Sequence, residues 1–191
     1  VVSEFVANLI KKSKYNDVKN IIPVGFYRSD YLSSFKENNI PEEIATAKKN
    51  GKKILVVLGY SPPSHWFSSY ISMVSNWSSQ ISFLEDIIKL SNNLNNTFVI
   101  LRYKALENPF RSNEHFKNIL EKIRKSKNIF LSENYSEPNY SYKLCANADL
   151  IIAKHTSLAD ECLSNEIPVL FYEYTHNMKK AMSVAFDYSP S

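Results

Sequence analysis

Short apolar runs rich in Val, Ile and Leu alternate along the chain with longer stretches whose apolar positions recur at helical spacing. The runs Ile21 to Val24, Lys53 to Leu58, Thr97 to Arg102, Asn128 to Leu131, Leu150 to Ala153 and Val169 to Tyr172 have the length and composition of strands. Most lack strict alternation, as strands covered on both faces do, which points to a parallel sheet rather than a one-sided antiparallel one. Between them, Pro41 to Lys49 reads as a short helix opened by a proline, whose missing N–H is harmless in a first turn, and Gly51 as its end. Ile81, Leu84 and Ile88, flanked by Phe83, Ile87 and Leu90, predict a helix from about Ser78 to Leu94. Phe116, Ile119, Leu120 and Ile123 mark another apolar helical face. The alternation predicts an α/β fold, a Rossmann-like three-layer sandwich with a mostly parallel sheet of about six strands.

With 191 residues, 44% hydrophobic and 22% charged, the chain can bury the continuous core of one domain. We read residues 1–191 as that single domain, with 1–18 as a linker or helix from a preceding half. The formal charge of +4 is spread among acids, which argues against a nucleic-acid surface. No apolar run approaches the roughly 18 residues of a membrane span, and the N-terminus lacks signal-peptide order. A cytoplasmic protein is expected. Cys145 and Cys162 fit neither a disulfide framework nor a zinc cluster, and neither His65 nor His155 has a partner at zinc-ligand spacing, so neither a cofactor nor a metal is expected. The chain begins at Val1 and reads as part of a longer protein.

Two segments draw attention. The connection from Gly59 to about Asn76 is longer than most loops in compact domains and follows the carboxyl end of a strand, where open α/β sheets place ligands. Ser61 and His65 are its candidate cleft residues. The stretch from Ala148 to Phe171 reads as strand, polar turn, helix from Thr156 or Ser157, and strand. Its turn sets hydroxyls and unpaired N–H groups at a helix N-terminus, a natural seat for phosphate oxygens, to which His155 can donate as well. Glu161, four residues beyond Ser157, lies on the same helical face, and a carboxylate there can accept from two vicinal hydroxyls, as a ribose requires. The plainer alternative is a capping box of Ser157 and Asp160 with Glu161 in solvent.

A strand ending in "ADLII", a Ser/Thr turn, a glutamate and then "PVLF" together resemble the donor-binding motif of GT-B glycosyltransferases, including CDP-glycerol glycerophosphotransferases and capsule polysaccharide transferases. More weakly, "IIPVGFYRSDYL" at Ile21 to Leu32 and "KKILVVLGY" at Lys52 to Tyr60 are similar to the start of the C-terminal domain in that family. The resemblance implies one half of a GT-B fold, with Thr156 and Ser157 at the donor phosphates and Glu161 on the ribose. It also implies that Ser132 to Tyr135 hold the base, with Glu133, Asn134 and Tyr135 as candidates. Arg102 and Lys104, closing a strand, would stand near the phosphates and stabilise a departing diphosphate, or simply be a solvated strand end. Arg28 and Asp30 would line the interdomain cleft or form a salt-bridged turn.

The expected partners are a nucleotide-sugar donor, a saccharide or lipid-linked acceptor and an N-terminal domain of the same protein that carries the base. The parent enzyme would be a glycosyltransferase of bacterial capsule or lipopolysaccharide synthesis, working in the cytoplasm or at the inner membrane face. The chain departs from the family at three places. It has Lys154 for an aspartate, Lys104-Ala105 for a His-Pro pair, and Glu166 for a glycine, with Asn165 expected to take the left-handed turn instead. A UDP-sugar 2-epimerase of the same fold and a nucleotide-free Rossmann-like interaction module are the alternatives.

Overall fold

The computed structural model describes residues 4–13, 20–25, 29–36, 39–59, 77–103, 114–153 and 156–172. Helices α1 (Glu4–Lys12), α2 (Ser29–Phe35) and α3 (Glu42–Lys49) precede strand β1 (Lys53–Leu58). Then follow α4 (Trp77–Asn93), β2 (Thr97–Arg102), α5 (Glu114–Arg124), β3 (Ile129–Ser132), α6 (Tyr140–Ala146), β4 (Leu150–Ala153), α7 (Ser157–Ser164) and β5 (Val169–Phe171). The strands form one five-stranded sheet in the order β3-β2-β1-β4-β5, and every pairing is parallel. β1 runs in register with β2 from Lys53↔Thr97 to Leu58↔Arg102, and with β4 from Leu55↔Leu150 to Leu58↔Ala153.

Strand periodicity sends alternate residues to opposite faces, and both faces are covered. Leu55, Val57, Val99 and Leu101 pack under Phe83, Leu84 and Ile87 of α4 and Phe116, Ile119 and Ile123 of α5. Ile54, Val56, Ile100 and Ile151 pack under Leu32 of α2, Ile44 of α3, Leu144 of α6 and Cys162 of α7. Each such fully buried aliphatic or aromatic side chain is worth about 1.5–3 kcal/mol in transfer free energy. This two-sided burial explains why the central strands read as unbroken apolar runs.

The predicted strand at Ile21 to Val24 does not form: residues 20–25 are irregular, and Ile22 is 68% exposed. Pro23 cannot donate to a ladder, and Gly25 at φ +70° turns the chain away. The sheet among the described residues is therefore one strand smaller than expected. Helices α2 and α6, seven residues each, have too few turns to show a period in the sequence. α3 behaves as its sequence suggests. Pro41 occupies the N-cap position, and its carbonyl accepts from Ile44 and Ala45. At the far end Gly51, at φ +71°, donates to Lys48 O (2.9 Å) while Lys52 N donates to Ala47 O (3.0 Å), the Schellman pattern that a left-handed residue completes. Among the described residues no helix is long and apolar enough to cross a membrane.

Candidate functional site

The chain passes from β1 outward to β2 and β3, then returns to lay β4 on the other side of β1. This reversal makes the carboxyl ends of β1 and β4 the switch point of the sheet, where adjacent connections diverge and leave a crevice. The Gly59 connection leaves β1 at this point, and the turn into α7 leaves β4 beside it. Ser61, His65, Lys104, Arg28, Lys154 and His155 lie outside the described residues.

At the start of α7, Thr156 is the N-cap, in extended conformation (φ −162°, ψ 135°), and its Oγ1 accepts from Leu158 N at 3.3 Å. The cap is thus Thr156 rather than the Ser157–Asp160 box, and Ser157 stands exposed in the first turn. One turn further, Glu161 is only 4% exposed, so it is not a solvated helix residue. Its Oε2 accepts the Tyr142 hydroxyl of α6 at 2.8 Å, and among the described residues no cation pairs with it. An ionised carboxylate removed from water without a counter-charge is costly unless donors surround it. A bound group carrying hydroxyl donors would supply them.

Arg102 closes β2 and is likewise buried, at 6% exposure, so the solvated strand end is excluded. Its Nε donates to Ser141 Oγ (3.0 Å), and its Nη1 to the carbonyl (3.3 Å) and hydroxyl (3.4 Å) of Ser132. The guanidinium carbon lies 4.6 Å from the Tyr135 ring centroid and 5.5 Å from that of Tyr140. Burial pulls the Arg102 pKa down, but a guanidinium stays charged throughout the physiological range. No described acid neutralises it. Arg102 and Glu161 are both held by α6, through Ser141 and Tyr142, and both charges act on the Cys145 thiol of that helix. Cys145 is pushed well above the usual thiol range by its hydrogen bond to Cys162 and by complete burial, which leaves it unreactive.

The base-binding candidates separate. Tyr135 comes together with Arg102, its ring set on the guanidinium while 39% of the residue stays exposed, and partial desolvation raises its phenol pKa. Glu133 instead pairs with Arg124 of α5 (3.0 Å). Asn134 folds back on its own turn, accepting from Ser136 Oγ and Glu137 N and donating to Glu137. Of the residues that fasten the two buried charges, Ser132 opens the segment expected to hold the base, while Tyr142 and Ser141 carry no period or motif of their own in the sequence. Among the described residues no three His, Cys, Asp or Glu side chains gather around a possible metal. A groove of about 470 Å³ lined by Thr46, Asn50, Lys52, Phe98 and Phe130 opens by the amino-terminal halves of β2 and β3. That is the wrong edge of the sheet for the predicted chemistry.

No protein-family model matches the chain, and no curated protein matches it. Among solved structures it is similar to S. aureus MnaA in complex with UDP, with a TM-score of 0.59 and 13% identity, over 93% of this chain and 42% of that one. It is also similar to a Neisseria meningitidis UDP-GlcNAc 2-epimerase bound to UDP-GlcNAc, with a TM-score of 0.56 and 16% identity, over 93% of this chain and 44% of the other. The wall teichoic acid polymerase TagF superimposes more loosely, at a TM-score of 0.49 and 15% identity, over 92% and 39% of the two chains. The chain spans less than half the length of each. At such identities the likeness is one of fold: the chain has a Rossmann-like α/β fold similar to part of MnaA and to part of the Neisseria epimerase.

Proposed function

We propose that this chain is the nucleotide-sugar-binding part of a glycosyltransferase of bacterial surface-polysaccharide synthesis, with Glu161 accepting hydrogen bonds from the ribose of the donor. The observation that carries the proposal is the buried Glu161 carboxylate, one turn inside a helix that starts at the sheet's switch point and without a described counter-charge. A vicinal diol brings two O–H donors and no charge, which suits such a group. The turn of His155, Thr156 and Ser157 precedes it in the chain, where the diphosphate would meet the N–H groups and dipole of α7. Arg102 and Lys104 would supply the cationic field that stabilises a departing diphosphate, and Tyr135, carried on Arg102, a face for the base.

The base that activates the acceptor, a saccharide or a lipid-linked sugar, would then come from outside these residues. The protein would work in the cytoplasm, at or near the inner membrane face, and without a metal in this domain. The superposition on a UDP-GlcNAc 2-epimerase favours one second reading, an epimerase acting on a UDP-sugar. Both require the same nucleotide site.

Calorimetric titration with UDP, CDP, GDP, CMP and their common sugar conjugates tests the site. One nucleotide should bind, and Glu161→Gln should weaken it by about 1.5–3 kcal/mol, roughly 10- to 150-fold, as expected for hydrogen bonds to a charged group. Binding that ignores Glu161→Gln would remove the ribose assignment. The absence of any nucleotide binding to the folded chain would remove the proposal and leave an interaction module. Conversion of UDP-GlcNAc to its 2-epimer by the parent protein without acceptor would favour the epimerase.

A further inference from the structure

We propose that Tyr142 is a positioning residue that sets the orientation of the Glu161 carboxylate for ribose recognition, an assignment that rests on the nucleotide reading of Glu161. The backbone of Glu161 is fixed independently of its side chain. Its carbonyl accepts from Ser164 Oγ (2.7 Å) and Asn165 Nδ2 (2.9 Å) at the end of α7. The carboxylate itself has one described side-chain donor, the Tyr142 hydroxyl at 2.8 Å. A glutamate has three side-chain torsions, and a carboxylate that must accept two hydroxyls at once works only at one rotation about its last bond.

Tyr142 is suited to fix that rotation because it is itself held. Its ring packs at 6.2 Å and 60° against Tyr31 of α2, and α2 is tied to the end of α7 by the Ser33 hydroxyl, which donates to Asn165 Oδ1 at 3.1 Å. α2 thereby backs the α6 phenol that holds one carboxylate oxygen of α7. With Oε2 engaged by the phenol, the carboxylate plane is set and its remaining lone pairs face a defined direction. The hydroxyl also lowers the cost of keeping the carboxylate dry between binding events.

The test compares the wild-type chain, Tyr142→Phe, Glu161→Gln and Ser164→Ala, by titration with UDP and CDP and their 2′-deoxy counterparts, alongside thermal melting. Phenylalanine keeps the ring against Tyr31, and Ser164→Ala removes a bond to the Glu161 backbone without touching the carboxylate. The wild type should prefer the ribonucleotide about tenfold, and Tyr142→Phe should shrink that preference to about twofold, with deoxynucleotide affinity falling by less than ribonucleotide affinity. Ser164→Ala should keep the wild-type ratio. A ratio preserved in Tyr142→Phe but lost in Glu161→Gln would overturn the role of Tyr142 and leave the nucleotide site standing. Equal losses for both nucleotides in Tyr142→Phe would mark a merely structural tyrosine and overturn it too. A wild type that ignores the 2′-hydroxyl would overturn the ribose assignment and Tyr142 with it.

Discussion

Gly59 follows β1 and lies against the ring of Tyr103, where a β-carbon would stand 2.6 Å from Cε1 and Cζ. Its N–H donates to Arg102 O at 2.7 Å, so the backbone cannot retreat without breaking the ladder's last bond. Nor can the ring: Tyr103 is fully buried, edge-on to Phe116 at 6.2 Å and 85°, with its hydroxyl bonded by Gln80. Gly59→Ala should therefore destabilise by about 1–3 kcal/mol as an overpacked core does, lowering the melting midpoint by several degrees. A thermal melt checks it, and an unchanged midpoint would mean that the ring yields freely. At this scale the sequence showed a glycine after a strand, while the reason for it belongs to a residue 44 positions away, a contact that no local pattern records. Glu161 divides in the same way. Its spacing from the turn was legible, but its burial depends on α6, a helix too short to announce itself.

α7 is capped at both ends by its own sequence, at the start by Thr156 as the pattern allowed, and at the finish by a residue other than the expected one. Its C-terminus is a Schellman motif: Ile167 N donates to Cys162 O (3.1 Å) and Glu166 N to Leu163 O (3.1 Å). The left-handed residue is Glu166, at φ +61°, whereas Asn165, expected to take that role, sits at φ −103°. Asn165 is engaged otherwise, donating to Glu161 O and accepting from Ser33, which places it before the turn. Holding a side chain in this conformation costs about 1–2 kcal/mol, and glycine removes that cost while giving back up to about 1 kcal/mol in backbone entropy. Glu166→Gly should thus stabilise by a few tenths to about 1 kcal/mol, raising the midpoint by roughly 1–4 °C. A fall in the midpoint would show that the Glu166 side chain contributes something the turn does not require.

Across the whole molecule, the return of the chain to β4 is pinned beside β1 by Asp149. Its carboxylate accepts from Ile54 N (2.8 Å) and Lys53 Nζ (3.1 Å), and its own N–H donates to Ile54 O. Partial burial opposes ionisation, but the Ile54 N–H and the Lys53 charge outweigh it and hold the Asp149 carboxyl below the usual range. A depressed carboxyl pKa stabilises the fold above the unfolded-state value of about 3.9, and that contribution disappears as pH falls through the folded value. Asp149→Asn should be less stable than wild type at pH 7, by under about 1 kcal/mol because water screens the pair, and the two should converge as pH drops from about 4 toward 2. Denaturant unfolding across that range measures it; a gap that persists at the acid end would exclude the charge as its origin.

The parallel α/β architecture is legible in the order of residues alone, because strands buried on both faces must be apolar throughout, and the same pattern locates β1, β2 and β4 to the residue. It also singled out the turn before α7 and Glu161, since cap chemistry and helical spacing are local. Packing of the assembled chain settles that Ile21 to Val24 form no strand and that Arg102 and Glu161 are buried charges gathered by α6. It also settles that Tyr142 reaches the carboxylate. Those outcomes depend on side chains far apart in the chain, whose burial and pairing exist only once the sheet has assembled.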